Sequence, residues 1–176
     1  MALTLKNIFR KKKVGDLNSI NDQVINAIIE KEQNRNYFRI DLTNLLEGDM
    51  KIVAVNGEKV NLKHMAVLID NIGPGGLSFI CNIKCPVQKS IVLNFKTELL
   101  GKVINICGSP VWIKEMKGDL YKYGIEFSVD ENTRTDLISV LNQLEIKMRN
   151  RNGFTEGRFI LDDSPNIYFK RLLNDY

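Results

Sequence analysis

The sequence predicts a mainly β domain, an antiparallel sandwich or barrel with one helix ahead of it and one behind. Three observations carry that prediction. From Tyr37 to Phe127 short apolar runs recur, separated by Gly, Pro, Asn and Lys at the intervals of hairpin-connected strands. Asn56-Gly57, the dipeptide best suited to the paired positive φ angles of a type I′ turn, stands between two of those runs. Tyr121, Tyr123, Ile125 and Phe127 alternate with Lys122, Gly124 and Glu126, the period of a strand with one buried face.

Taken in order, the chain opens on Leu3, Leu5, Ile8 and Phe9 mixed with Lys6, Arg10, Lys11, Lys12 and Lys13. This segment is too short to give much membrane affinity alone, so residues 1–13 read as a solvated tail in preference to a membrane contact. From Asp16 to about Gln33, Leu17, Ile20, Val24 and Ile28 recur every three or four residues, with Ser19 available as a cap; the spacing predicts a helix. Strands are expected at Ile52–Val55 and from Val60 onward, then at Met65–Ile69, Leu77–Ile80, Ile91–Phe95, Val103–Ile106, Val111–Ile113 and Tyr121–Phe127. Trp112 reads first as a core or lid aromatic, since buried area usually explains such a residue. Ser128-Val129-Asp130-Glu131 has the form of a capping box, followed by a helix with an apolar stripe at Leu137, Leu141, Leu144 and Met148 that suits it to covering the sheet. A last apolar group, Ile167 to Leu173, follows Pro165 and reads as a short helix, folded back or kept for a partner.

Composition narrows the function. A chain of 176 residues with 44% apolar residues supports one core plus extensions, set here at 1–34, 35–149 and 150–176. No apolar run approaches a membrane span or a secretory signal, so a cytoplasmic location is expected. Cys81, Cys85 and Cys107 lack zinc or redox spacing, and His64 stands alone, so neither a metal centre nor a catalytic triad assembles; an enzyme is not expected, and no cofactor or metal. Of the net charge of +4, the first thirteen residues carry +5, which leaves −1 for the remainder. The body is therefore not a basic nucleic-acid surface.

Two patterns remain, and their order matters. Arg35-Asn36-Tyr37-Phe38-Arg39 lies ahead of the first strand, and Asn71-Ile72-Gly73-Pro74-Gly75-Gly76 ends the run that begins at Met65. At these residues the sequence resembles the PilZ family, whose hallmarks are an RxxxR motif at the mouth of the barrel and a [D/N]xSxxG motif on an adjacent strand and turn. Arg35 and Arg39 match the arginines, Asn71 the Asp or Asn position and Gly76 the final glycine. Gly73 stands where the family usually has serine. Tyr123-Gly124-Ile125-Glu126-Phe127 resembles the family's last strand, and the likeness runs from about Arg35 to Met148.

The resemblance implies a six- to seven-stranded antiparallel β-barrel, the N-terminal helix being an extension and the C-terminal one a cap, that binds the second messenger cyclic di-GMP through Arg35, Arg39, Asn71, Gly73, Gly75 and Gly76. Arginine forks onto phosphate or onto guanine O6 and N7, Asn71 has an amide for a guanine edge, and glycines admit backbone donors close to a ligand. Two guanidinium groups without adjacent acids predict a leading segment that lacks fixed partners until ligand arrives. The implied role is a receptor that orders this segment and signals to a protein partner in motility, exopolysaccharide synthesis or related surface behaviour. Gly73 supports an alternative, an adaptor of the same fold that has lost nucleotide and works through protein contacts only.

Overall fold

The computed structural model describes residues 37–150, 157–161 and 164–174, all within one compact unit, Tyr37–Tyr176. The helix expected at 16–33, the basic tail and Arg35 lie outside the described residues. The strands are β1 (Ile40–Val55), β2 (Glu58–Lys59), β3 (Met65–Gly73), β4 (Gly76–Cys81), β5 (Ile91–Leu99), β6 (Lys102–Met116), β7 (Leu120–Phe127) and β8 (Phe159–Ile160). The helices are α1 (Glu131–Arg149) and α2 (Pro165–Asn174).

All the pairings are antiparallel. Six strands close on themselves in the order β1-β3-β4-β7-β6-β5 and back to β1. The closing strand is β1, whose sixteen residues are long enough to serve two neighbours. Its first part pairs with β3, from Ile40↔Ile72 to Met50↔Met65, and its second part with β5, from Gly48↔Thr97 to Val55↔Ile91. Closure removes the unpaired edges that an open sheet would present.

The Asn56-Gly57 turn forms with both φ angles positive, 52° and 83°. The strand after it is shorter than expected: only Glu58 and Lys59 pair with β1, and from Asn61 the chain leaves the sheet until β3 rejoins the same edge of β1 at Met50↔Met65, β5 holding the opposite edge. The two runs Val103–Ile106 and Val111–Ile113 are one strand, not two. Gly108, Ser109 and Pro110, which look like a break in sequence, carry the pairing from β5 over to β7, with a register shift between Pro110 and Trp112. Proline fits there because a bulge needs no ladder donor.

The core fills the ring with Leu46, Met50, Val67, Ile69, Phe79, Leu93, Phe95, Tyr123 and Ile125, and the rings of Phe79 and Tyr123 stack at 5.2 Å. Helix α1 adds Leu137, Val140, Leu141 and Leu144, one stripe of its surface, to the same core. Its N-cap is Asp130, not Ser128: the Asp130 carboxylate accepts from the Thr133 N–H at 2.8 Å. Ser128 stands two residues ahead of the cap and still belongs to the sheet, its N–H donating to the Cys107 carbonyl at 2.9 Å. At the other end, β8 pairs with β1 at Leu45 and Leu46, Arg158 forms ion pairs with Glu47 and Asp49, and Tyr168 and Phe169 of α2 are buried in the core.

Candidate functional site

The site is built on the β3–β4 hairpin. Gly73 and Gly76 face each other as its last pair, and Pro74-Gly75 make the turn. Each glycine is required by a different neighbour. A Cβ on Gly73 would occupy the space of the Phe38 carbonyl oxygen and stand 3.1 Å from Cγ of Arg39. One on Gly75 would stand 2.7 Å from the Tyr37 ring, and one on Gly76 would collide with the Ile125 carbonyl. The hairpin is therefore cut away on one side for the segment Tyr37-Phe38-Arg39 and on the other for β7.

That segment leads directly into β1, where Ile40 pairs with Ile72 and Asp41 with Asn71. The register carries Arg39 alongside the hairpin, and Arg39 Nη1 donates to Asn71 Oδ1 at 3.2 Å. The expectation that the leading arginine has no fixed partner without ligand is corrected at Arg39: a half-buried amide already holds it. An acid is close by, but Asp70 is otherwise engaged. It sits at the irregularity between Ile69 and Asn71, accepts from the buried Ser78 hydroxyl and pairs with Lys122 of β7. The Asp70 carboxylate is thus taken up by Ser78 and Lys122.

A residue that the sequence did not single out completes the arrangement. Arg134, in the first turn of α1, donates from Nη1 to the Pro74 carbonyl at 2.9 Å, and its guanidinium carbon lies 4.7 Å from the centre of the Tyr37 ring. Sequence reasoning took the helix for its apolar stripe and passed over its polar positions. The signal was present: a cation in the first turn faces the positive end of the helix dipole, so it needs a reason to be there.

Across the outer sheet Asn71, Ser78, Gly124 and Trp112 lie side by side in register on β3, β4, β7 and β6. Gly124 has no side chain because the indole of Trp112 lies in that space, and Trp112 keeps 37% of its surface exposed. It is a lid over the sheet and not a core residue. A separate cleft of about 490 Å³ opens between the start of β6 and α1, lined by Val103, Ile104, Asp136 and Val140 among others. None of the residues predicted for the site lines it. Of those residues, Arg39, Asn71, Gly73, Gly75 and Gly76 converge on one hairpin and its leading segment; Arg35 is outside the described residues.

YcgR from Escherichia coli, solved in complex with c-di-GMP, is similar to this chain with a TM-score of 0.50 and 14% identity, over 67% of this chain and 49% of that one. The fold is that of a PilZ domain. The separate PilZ domain of YcgR, also with c-di-GMP, gives a TM-score of 0.46 at 15% identity over 68% of this chain and 99% of that one. Bacillus subtilis MotI, an inhibitor of motility, gives 0.49 at 16% identity over 68% and 54%. This chain spans about half the length of MotI and YcgR. No protein-family model and no curated protein matches the sequence. At such identities the likeness is one of fold, so what the PilZ scaffold does in this chain rests on its own residues.

Proposed function

We propose that the chain is a cyclic di-GMP receptor whose leading segment, with Arg35 and Arg39, closes over the β3–β4 hairpin when ligand binds and so presents a changed surface to a protein partner. One observation carries this reading: Arg39 is held by Asn71 beside a hairpin whose Gly73 and Gly75 let the segment Tyr37-Phe38-Arg39 lie directly against it. A phosphodiester oxygen would give the guanidinium a charge-assisted bond, stronger than the one it donates to the Asn71 amide. Exchange of Asn71 for phosphate would free the amide for a guanine edge and order the segment at the same time. The six-strand ring acts as the rigid barrel against which this happens, residues 35–149 forming the receptor domain between two extensions.

Titration calorimetry with cyclic di-GMP tests it on the wild type, Arg35→Ala and Arg39→Ala. Each substitution is expected to cost about 1–3 kcal/mol, the worth of a good bidentate contact. Equal affinity in all three proteins rejects the clamp.

A second reading, an adaptor without nucleotide that acts through protein contacts, is favoured by one feature. The position at which PilZ sequences usually have serine is filled by the Phe38 carbonyl, so the hydroxyl is excluded sterically and not merely missing. A well-folded wild type that gives no heat with cyclic di-GMP selects this reading.

A further inference from the structure

Arg134 is held in a way that packing alone does not explain. Its side chain keeps only 15% of its surface, and the carboxylate nearest to it, on the highly exposed Glu131, is 3.9 Å from Nε. That Nε is buried without a hydrogen-bond partner among the described residues. A guanidinium removed from water is normally matched by a buried acid, and where it is not, an apolar side chain of similar volume is as stable or more so. What Arg134 has instead are the Pro74 carbonyl and the face of Tyr37. Tyr37 in turn rests on Gly75, whose missing Cβ makes room for its ring. Helix, turn and leading segment thus meet at one cation, which lies over Tyr37, two residues before Arg39. Its backbone is part of the helix start, since the Arg134 N–H donates to the Asp130 carbonyl at 3.0 Å.

We infer that Arg134 is a positioning residue of the cyclic dinucleotide site: it fixes the segment that carries Arg39 against the glycine turn, and it transmits closure of that segment to the first turn of α1. This rests on the receptor reading above. Stacking on Tyr37 and a directed bond to Pro74 hold the leading segment and the glycine turn in a set relation, which lowers the ordering cost of binding. Because the same side chain belongs to α1, a ligand that immobilises the segment also lowers the opening rate of the helix start. Helix α1 then becomes the element whose state reports occupancy.

The test uses the full chain with Arg134→Met and Arg134→Lys, calorimetry with cyclic di-GMP, thermal melting without ligand, and amide hydrogen exchange over residues 131–137. Methionine fills the space but neither donates nor stacks as a cation. Its variant is expected to melt at an unchanged or higher temperature and to bind roughly tenfold more weakly. Lysine keeps the charge without the planar fork, so its affinity should fall between the two. Ligand should slow exchange at residues 131–137 in the wild type and leave it unchanged in Arg134→Met. A Met variant with a lower melting temperature and unaltered affinity would make Arg134 a structural prop only and overturn the inference. Wild-type binding with no change in exchange overturns it as well. If Arg134→Met does not fold, unaltered affinity in Arg134→Lys has the same force. Absence of binding by the wild type removes this inference together with the receptor reading, whereas the other outcomes leave that reading standing.

Discussion

The carbonyl oxygen of Phe38 lies where a side chain on Gly73 would begin. The glycine in place of the usual serine is therefore tied to the path of the leading segment, and restoring the serine does not restore a hydroxyl to the site. Gly73→Ser is expected to push Phe38 and Arg39 away from the hairpin, costing about 1–3 kcal/mol of stability as overpacking does. Affinity for cyclic di-GMP should fall with it. A denaturant midpoint together with calorimetry checks this, and a serine variant that is equally stable and binds more tightly would contradict the steric account.

Gly124 and Trp112 form a second such pair, on the outer face of the sheet. Gly124→Ala places a methyl group where the indole lies, so the indole must lift into water. Trp112 is the chain's single tryptophan, which makes its fluorescence a direct report. The emission is expected to shift to longer wavelength and quench more readily with iodide, with a loss of about 1–3 kcal/mol. Unchanged emission would mean that the indole sits elsewhere.

Much of this fold was legible because hairpin punctuation and period-2 alternation are local signals. Asn56-Gly57 turned as the dipeptide predicts, and Tyr123, Ile125 and Phe127 are buried as read, with Glu126 exposed between the last two. The long strands were not legible. In β1, Asn44 and Gly48 interrupt the apolar positions Leu42, Leu46 and Met50, and the pairing is set by β3, β5 and β8, distant along the chain. In β6, Gly108-Ser109-Pro110 looked like a break, and only the bulge against β7 explains their place in a strand. Asn71 and the three glycines stood out through their motif. Arg134 did not, since its partners are Pro74 and Tyr37, sixty and more positions away along the chain.

At the start of α1 the cap is Asp130, two residues after the serine that the sequence suggested. Asp130 receives two bonds from Thr133, one from the N–H at 2.8 Å and one from the hydroxyl at 3.0 Å. Those bonds, the backbone one foremost, hold the Asp130 carboxyl below the usual carboxylate range. Asp130→Ala should therefore lower the melting temperature more than Ser128→Ala, whose side chain is not the cap. The difference between wild type and Asp130→Ala should be present above the ordinary aspartate pKa and vanish as pH falls through the depressed one. Equal effects of the two substitutions at neutral pH would return the cap to Ser128.

At the alkaline end the group to watch is Tyr123, 1% exposed and stacked on Phe79. Its hydroxyl donates to the Cys85 carbonyl at 3.0 Å and accepts from the Cys85 N–H at 2.6 Å. Burial pushes its pKa up to about 12 from 10.0, outweighing the backbone bond to Cys85, which acts the other way. The sign follows from proton counting: above pH 10 the unfolded chain gives up this proton while the folded one keeps it, so the unfolded state binds fewer protons and stability falls as pH rises. The contribution is complete below the unfolded value and lost as pH climbs through the folded one, on the order of 2 kcal/mol across that window. Burial raises the Cys81 thiol in the same sense, to about 11, so part of the decline should begin earlier. The denaturant midpoint, followed from about pH 9 to 12 in wild type and Tyr123→Phe, should drop less steeply in the phenylalanine variant. Identical slopes would show that Tyr123 ionises as easily in the folded protein as in the unfolded chain.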